Sequence, residues 1–405
     1  MSLLEKSEFR LMWPFYLEQF LGNIFFIYPM FYVLYFLEMG LSLTQIGILL
    51  GILSTAQIIF EIPTGAIADI YGRKFSVILG NCLTGSTIIG IMFVKNFWLL
   101  CGLYFLWGAS FTLTSGSYSA WFVDLLKKNK KGKKMHDVNS FQSAFASVGV
   151  IFAGIIAALL VKYFGLIIIW SFSGIAYIVA GIMLLFAKSD NIAKKKFKLI
   201  NSWQITYNQI KNSGKEIWQN DNLFYLILAG CFCVMAIIFA GDLTFYPLIK
   251  SAGFPDHYFG YLISLCFSFG LFIPFVTKKM IDKMGGTKKY LIGILSLLVL
   301  FTIPIIWIKS LYGYIILFMI GYWLFLFYGP ARFTLFQSFV PSEKRATIDS
   351  VRSMAYALVI IIITPLVGLM ADNFGSKITI FIGGILFIPA IVMYLKVKGE
   401  GKKHL

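Results

Sequence analysis

Charge is scarce in this sequence. Only 13% of its 405 residues are Asp, Glu, Lys or Arg, against about 25% in an ordinary soluble domain. With 59% of the chain hydrophobic, no water-soluble globule could hide the apolar excess, so lipid must be part of the solvent. Histidine is rarer still: His136, His257 and His404 are dispersed in loops or a tail. The five cysteines, Cys82, Cys101, Cys231, Cys233 and Cys266, lie inside apolar stretches and have no metal-ligand spacing to those histidines. They read as small buried hydrophobes, and neither metal nor cofactor is expected. The pattern Gly-x-x-x-x-Gly-Lys-Ser/Thr is missing, which argues against ATP-driven transport. No catalytic constellation is visible, so an enzyme embedded in the membrane has little to recommend it.

Among 35 basic residues only five are arginine. Each arginine therefore marks a place where a guanidinium is useful, although a biased codon composition accounts for the lysines equally well. The net charge of +17 could suggest nucleic acid, but its distribution rejects that partner. Lysines and arginines cluster in short runs between apolar stretches, as in the cytoplasmic loops of membrane proteins.

A membrane span needs about 20 mostly apolar residues. Twelve such stretches are predicted, near 11–37, 45–68, 75–94, 97–124, 138–162 and 165–187, then near 221–249, 257–277, 288–308, 311–339, 346–371 and 376–396. The charged segment Met1–Arg10 leads straight into the first of them and reads as its flank, not as a cleavable signal peptide. If the N-terminus is inside, cytoplasmic segments hold 28 of the 35 basic residues. Outer loops hold five: Lys95, Lys162, Lys250, Lys309 and Lys377. Arg332 and Arg352 fall within spans. Both termini are therefore expected on the cytoplasmic side of a cytoplasmic membrane.

The expected fold class is an all-α membrane protein of twelve transmembrane helices in two pseudo-symmetric six-helix halves, residues 1–187 and 221–405. The basic linker 188–220 carries Trp203, Tyr207, Ile210, Ile217 and Trp218, mostly at helical intervals. It reads as an amphipathic helix on the inner leaflet or as a plain solvated linker. An internal repeat supports the halves. A shift of 213 places Gly40, Gly47, Asp69, Gly72, Gly80, Gly108 and Gly116 on Gly253, Gly260, Asp282, Gly285, Gly293, Gly321 and Gly329. A shift of 210 places Phe164-Gly165 on Phe374-Gly375.

The strongest local signal is Gly65-Ala-Ile-Ala-Asp69-Ile-Tyr-Gly72-Arg73-Lys74, in the turn between the second and third spans. Gly65 would allow close helix approach, and Gly72 a tight turn. Asp69 could accept from the N-terminal amides of a neighbouring helix, and Arg73 could fork to a carboxylate. The segment resembles motif A of the major facilitator superfamily, G-x-x-x-D-x-x-G-R-K, at every defining position. The resemblance extends over the whole chain in helix count, repeat and loop charge. It implies that Asp69 and Arg73, with Asp124 at the end of the fourth span, form a conformational latch and not a substrate site. The second-half copy, Asp282-Lys-Met-Gly285-Gly286, lacks the arginine, which points to one working latch. Glu61-Ile-Pro-Thr-Gly65 together with Ser115-Gly116-Ser-Tyr-Ser-Ala120-Trp121 is similar to permeases often labelled drug or sugar efflux proteins. One departure stands out. Proton-coupled drug exporters carry a Gly-Pro pair in the fifth helix, where this chain reads Gly149-Val-Ile-Phe-Ala-Gly154-Ile155.

Charged side chains inside a bilayer are expensive and face a cavity or a partner. Glu18, Glu61, Arg332 and Arg352 each fall roughly 10–14 Å from the inner end of their predicted span, at about 1.5 Å per residue. Asp242 lies at about that depth from the outer end of the seventh span. Two readings stay open. Glu61, Asp349 and Arg352 could be an inter-half gate in which Glu61 pairs with Arg352, or they could bind substrate. Glu18 and Asp242 are the candidates for proton coupling, since a carboxylate in an apolar cavity can carry a proton. The first, fourth, seventh and tenth helices line the cavity in the superfamily, and Glu18, Asp242 and Arg332 lie on three of them. Gln19, Asn23, Ser115, Ser119 and Tyr328 are the polar candidates for the same cavity. Gln19 and Asn23 are four apart and share a face. Arg332 could meet an anionic moiety or a counter-carboxylate. Trp98, Trp307 and Trp323 read as interface anchors or packing.

The functional expectation is a monomeric secondary transporter that alternates between inward-open and outward-open states, with a small-molecule substrate and a proton as coupling ion. Export of an amphiphilic or drug-like compound is the first choice. Proton-coupled uptake of a sugar, peptide or organic anion is the alternative, and a non-transporting membrane receptor or scaffold is the alternative from another class.

Overall fold

Long apolar runs with no charge to place in water can satisfy their backbone only internally, and helices do so. In the computed structural model every regular element among the described residues is helical. The described residues are 6–24, 27–128, 135–188, 214, 217–270, 273–341 and 344–399. The expected amphipathic linker lies almost wholly outside them. Only its end is described, where Ile217 is buried and Trp218 is exposed against Phe224.

In chain order the helices are α1 (Lys6–Asn23), α2 (Ile27–Glu38), α3 (Leu43–Tyr71), α4 (Arg73–Ile91), α5 (Phe97–Lys128), α6 (Met135–Phe164) and α7 (Ile168–Met183). They continue as α8 (Asp221–Phe239), α9 (Asp242–Ser251), α10 (Tyr258–Gly270), α11 (Ile273–Met284), α12 (Thr287–Thr302), α13 (Leu311–Phe339), α14 (Arg345–Phe374) and α15 (Ser376–Lys396). Among the described residues ten stretches are long and apolar enough to cross a membrane, and Val148–Phe164 and Tyr258–Gly270 are shorter apolar helices. Large apolar side chains point outward along them, such as Leu106, Phe152, Leu159, Leu300 and Ile362, which suits a lipid-solvated surface.

The seventh predicted span is not one helix. The chain leaves helical geometry at Ala240 and Gly241. Thr244 Oγ1 then donates to the Phe239 carbonyl at 2.9 Å and the Gly241 carbonyl at 3.0 Å, so the break leaves those acceptors satisfied.

By packing, the chain groups into two units. One comprises Met1–Tyr35, Ile52–Ser202 and Asp256–Ser268, the other Phe36–Gly51, Trp203–Pro255 and Phe269–Leu405. In the first unit α4 packs on both α5 and α7. Its α5 face is a ladder of small residues four apart. Ser76 Oγ donates to the Leu113 carbonyl at 2.8 Å, Gly80 leaves room for Leu113 and Thr114, and Thr84 meets Ser110 at 2.9 Å. Small and hydroxylated residues let membrane helices approach closely and bond across. Its other face sets Gly85 against Gly174 of α7. In the second unit α12 packs on α13 and α15, with Gly384 of α15 against Thr302 and Ile303. Leu291, Ile294, Leu295, Leu298, Phe387 and Tyr394 fill that core.

The repeat reappears in backbone conformation. Gly40 and Gly253 have φ of 85° and 96°, Gly72 and Gly285 of 95° and 73°, and Gly165 and Gly375 of 76° and 81°. Such angles favour glycine, so each half needs it at the same three turns.

Candidate functional site

The α3–α4 turn is built from its own residues. Gly72 takes positive φ and starts α4, whose Ser76 amide bonds to the Gly72 carbonyl at 3.1 Å. The turn delivers Arg73 to Asp124 near the end of α5, and Nη1 pairs with Oδ2. Both side chains remain partly exposed, 25% and 42%, so the pair is worth little as stabilisation. Asp69 is exposed and accepts no hydrogen bond among the described residues. Gly65 is exposed too, and a Cβ there would meet nothing within 4 Å. The close helix approach expected of Gly65 is not present among the described residues.

Lys74 has a task that the sequence did not disclose. Its Nζ donates to the Leu185 carbonyl at 2.8 Å and the Ala187 carbonyl at 2.7 Å. Those carbonyls end the short 3-10 turn after α7, where a cation is favoured. Trp121, fully buried, donates from Nε1 to the Lys188 carbonyl at 3.2 Å and holds the same segment. The second unit repeats the device. Lys288 Nζ donates to the Leu395 and Val397 carbonyls at 3.1 and 2.7 Å. The second turn carries one extra residue, because Gly286 starts α12 as Gly72 starts α4. Lys288 thus corresponds to Lys74, and Thr287 stands where the first half has Arg73.

Glu18, on α1, is buried. Gln19 Nε2 donates to its Oε2 at 3.1 Å, and Tyr118 and Asn81 are its other polar neighbours. All three are neutral. Asn23 Nδ2 instead donates to the Gln19 carbonyl at 2.6 Å, closing the end of α1. Ser115 and Ser119 lie exposed on one face of α5. Asp242 is half-buried in the first turn of α9, directly after the break, with Tyr246 as its side-chain neighbour. Negative charge is favoured at that helix start, a structural reason for the aspartate.

In the second unit Tyr328 is buried, and its hydroxyl donates to Cys233 Sγ at 3.2 Å and meets the Tyr394 hydroxyl at 2.9 Å. The ring faces Arg332, whose guanidinium carbon lies 5.6 Å from the Tyr328 centroid and 5.3 Å from that of Tyr356. Arg352 pairs with Asp349, Nη2 to Oδ1 at 3.0 Å, and lies over Phe336 at 4.5 Å. Gln337 Nε2 donates to the other Asp349 oxygen at 2.7 Å. Glu61 is exposed on α3.

Two helix crossings, one in each unit, pack closely on glycine. In the first unit Gly154 of α6 lies against Gly260 and Ser264 of α10, and Ser264 Oγ donates to the Ile151 carbonyl at 2.9 Å. In the second, Gly47 and Gly51 at the start of α3 lie against Ile361, Thr364 and Pro365 of α14. Asp372 clasps this second crossing. It accepts from the Leu43 amide at 3.0 Å, the Thr44 amide at 2.8 Å and Thr44 Oγ1 at 2.6 Å. Nothing in the spacing flagged Asp372, which the sequence places merely at the end of a span. The glycines where α6 departs from the Gly-Pro pattern have packing partners of their own: Gly149 lies against Phe20 and Asn23, and Gly154 against α10.

Comparison with known proteins gives the following. The family model described as Major Facilitator Superfamily matches residues 19–362. An uncharacterized MFS-type transporter, YxaM of Bacillus subtilis (strain 168), is 25% identical over 242 residues, 59% of this chain and 58% of that protein. The multidrug resistance protein MdtH of Salmonella paratyphi C (strain RKS4594) is 27% identical over 129 residues, 32% of each. The chain thus spans little more than half the length of the former and a third of the latter. In structure it resembles the nucleoside transporter NupG with a TM-score of 0.76 and 12% identity, covering 96% of this chain and 99% of that one.

Proposed function

We propose that this chain, which belongs to the Major Facilitator Superfamily, is a proton-coupled exporter of a small amphiphilic compound that works by alternating access in the cytoplasmic membrane. One observation carries the reading: the α3–α4 turn brings Arg73 to Asp124 through a weak, half-exposed pair. A contact of that strength suits a latch that must break and reform in each cycle. Asp69, Gly72, Arg73 and Asp124 are its working parts; Gly65 and Lys74 complete the motif, Lys74 by anchoring the turn to the segment after α7. The absence of an arginine at Thr287 supports a single latch.

Glu18 is our first candidate for the coupled proton. No cation faces it among the described residues, so no fixed ion pair holds its charge state. Asp242 is the second, although the helix start beside it accounts for part of its presence. Gln19, Asn23, Ser115, Ser119, Tyr328 and Arg332 are the proposed cavity residues, and Glu61, Asp349 and Arg352 the proposed gate. The excess of basic residues in alternate loops supports both ends of the chain lying on the cytoplasmic side. Partial similarity to a protein named for multidrug resistance supports export. Uptake of an organic anion is the second reading, favoured by Arg332.

Asp69→Asn and Asp124→Asn test the latch. In energised vesicles both should slow solute-dependent proton flux severely while the protein stays folded. Flux at the wild-type rate in both variants would remove cycling through this latch, whereas no solute-dependent flux from the wild-type protein would favour a receptor or scaffold.

A further inference from the structure

We infer that Arg332 and Tyr356 form an oxyanion-binding site in the second unit, so that the transported solute carries a carboxylate or phosphate group. The inference deepens the transporter reading and rests on it for the word solute.

The groups that face Arg332 are neutral. Tyr328 is on its own helix, Tyr356 on α14, Cys233 on α8 and Tyr394 on α15. No carboxylate lies within ion-pair distance of it among the described residues. The acid nearest in sequence on α14, Asp349, already has one oxygen on Arg352 and the other at Gln337. Arg332 Nε is buried and has no hydrogen-bond partner. A guanidinium cannot shed its charge and offers five donors in a fixed fork. The side chain is half-buried, but its buried Nε has no acceptor, and an arriving anion could take that donor together with the others.

The two tyrosines differ in what their hydroxyls do. The Tyr328 hydroxyl is spent on Cys233 and Tyr394, so only its ring addresses Arg332. Tyr356 presents its ring to Arg332 while its hydroxyl makes no hydrogen bond among the described residues. Gly230 of α8 makes room for that phenol, since a Cβ there would collide with the Tyr356 hydroxyl. Two aromatic faces steer the cation by cation–π attraction and leave the edge of the fork for a ligand. Lysine, a point charge without the planar fork, would use such a slot less well.

The test uses the full chain in phosphatidylcholine nanodiscs, with thermal denaturation as the binding readout. The probes are benzoate, phenyl phosphate and the neutral isostere benzamide, each at millimolar concentration. Benzoate or phenyl phosphate should raise the denaturation midpoint, and benzamide should not. Arg332→Gln should abolish the effect, Arg332→Lys should weaken it, and Tyr356→Phe should weaken binding roughly tenfold. Wild-type protein that ignores both anions, or treats benzoate as it treats benzamide, overturns the inference without reliance on any variant. So does Arg332→Gln that responds like wild type. A parallel set of nanodiscs contains phosphatidylglycerol. Stabilisation by that lipid alone, lost in Arg332→Gln, would assign the oxyanion to a headgroup and overturn the solute claim. Binding is read without a gradient or turnover, so failure of transport and failure of this site are separate results.

Discussion

Replacing Lys74 with Met should loosen the end of α7 and nothing in the other half of the chain. Lys74 makes two charge-assisted bonds, at 2.8 and 2.7 Å, to carbonyls that the helix end leaves unpaired. Hydrogen bonds to charged groups are worth about 1.5–3 kcal/mol each. One of these bonds is exposed, and holding a lysine rotamer opposes them by up to about 2 kcal/mol. A net loss of about 1–2 kcal/mol follows, a change of roughly 5–30-fold in local opening. Methionine keeps the apolar stem, so packing changes little. Amide hydrogen exchange reads the result at Ala187, whose N–H bonds to the Leu184 carbonyl. Lys288→Met should act in the same way at Val397, bonded to the Tyr394 carbonyl. The two effects should add in the double variant, because no partner is shared. Unchanged exchange at Ala187, or equal changes at Val397 in Lys74→Met, would refute the capping role.

Further outcomes are expected. Asp124→Asn should lower stability by less than about 1 kcal/mol, given the exposure of the pair, yet reduce transport strongly; denaturation and flux on one preparation compare the two. Asp372→Asn removes a charged acceptor from the start of α3 and should weaken the α3–α14 clasp by about 1–3 kcal/mol, seen as faster amide exchange at Leu43 and Thr44. Gly154→Val should fail to pack against Gly260 and Ser264, lowering folded yield, whereas Ala at Gly65, where a Cβ meets open space, should leave yield unchanged.

The apolar runs and the motif made the helices and the α3–α4 turn legible, because spans answer to length and hydropathy and the turn to Gly72. The repeat was legible from glycines that the structure shows at positive φ in both halves. The break within the seventh predicted span was not. Ala240 and Gly241 sit in a run apolar enough to continue, and the Thr244 hydroxyl, bonding backward to the Phe239 carbonyl, helps to satisfy the interruption. The roles of Lys74 and Asp372 were hidden for a related reason: their acceptors and donors are backbone groups, which carry no residue identity. Arg332 was visible as an unusual residue, but its lack of a counter-carboxylate needed the side chains of α8, α14 and α15.

The most direct measurement follows the pH gradient of energised inside-out vesicles as a panel of amphiphilic drugs, sugars and organic anions is added. The expected result is that at least one compound dissipates the gradient with wild-type protein and fails to do so with Glu18→Gln at equal expression. A panel without any wild-type-specific dissipation, or a Glu18→Gln protein that behaves as wild type, would contradict proton-coupled export through this carboxylate.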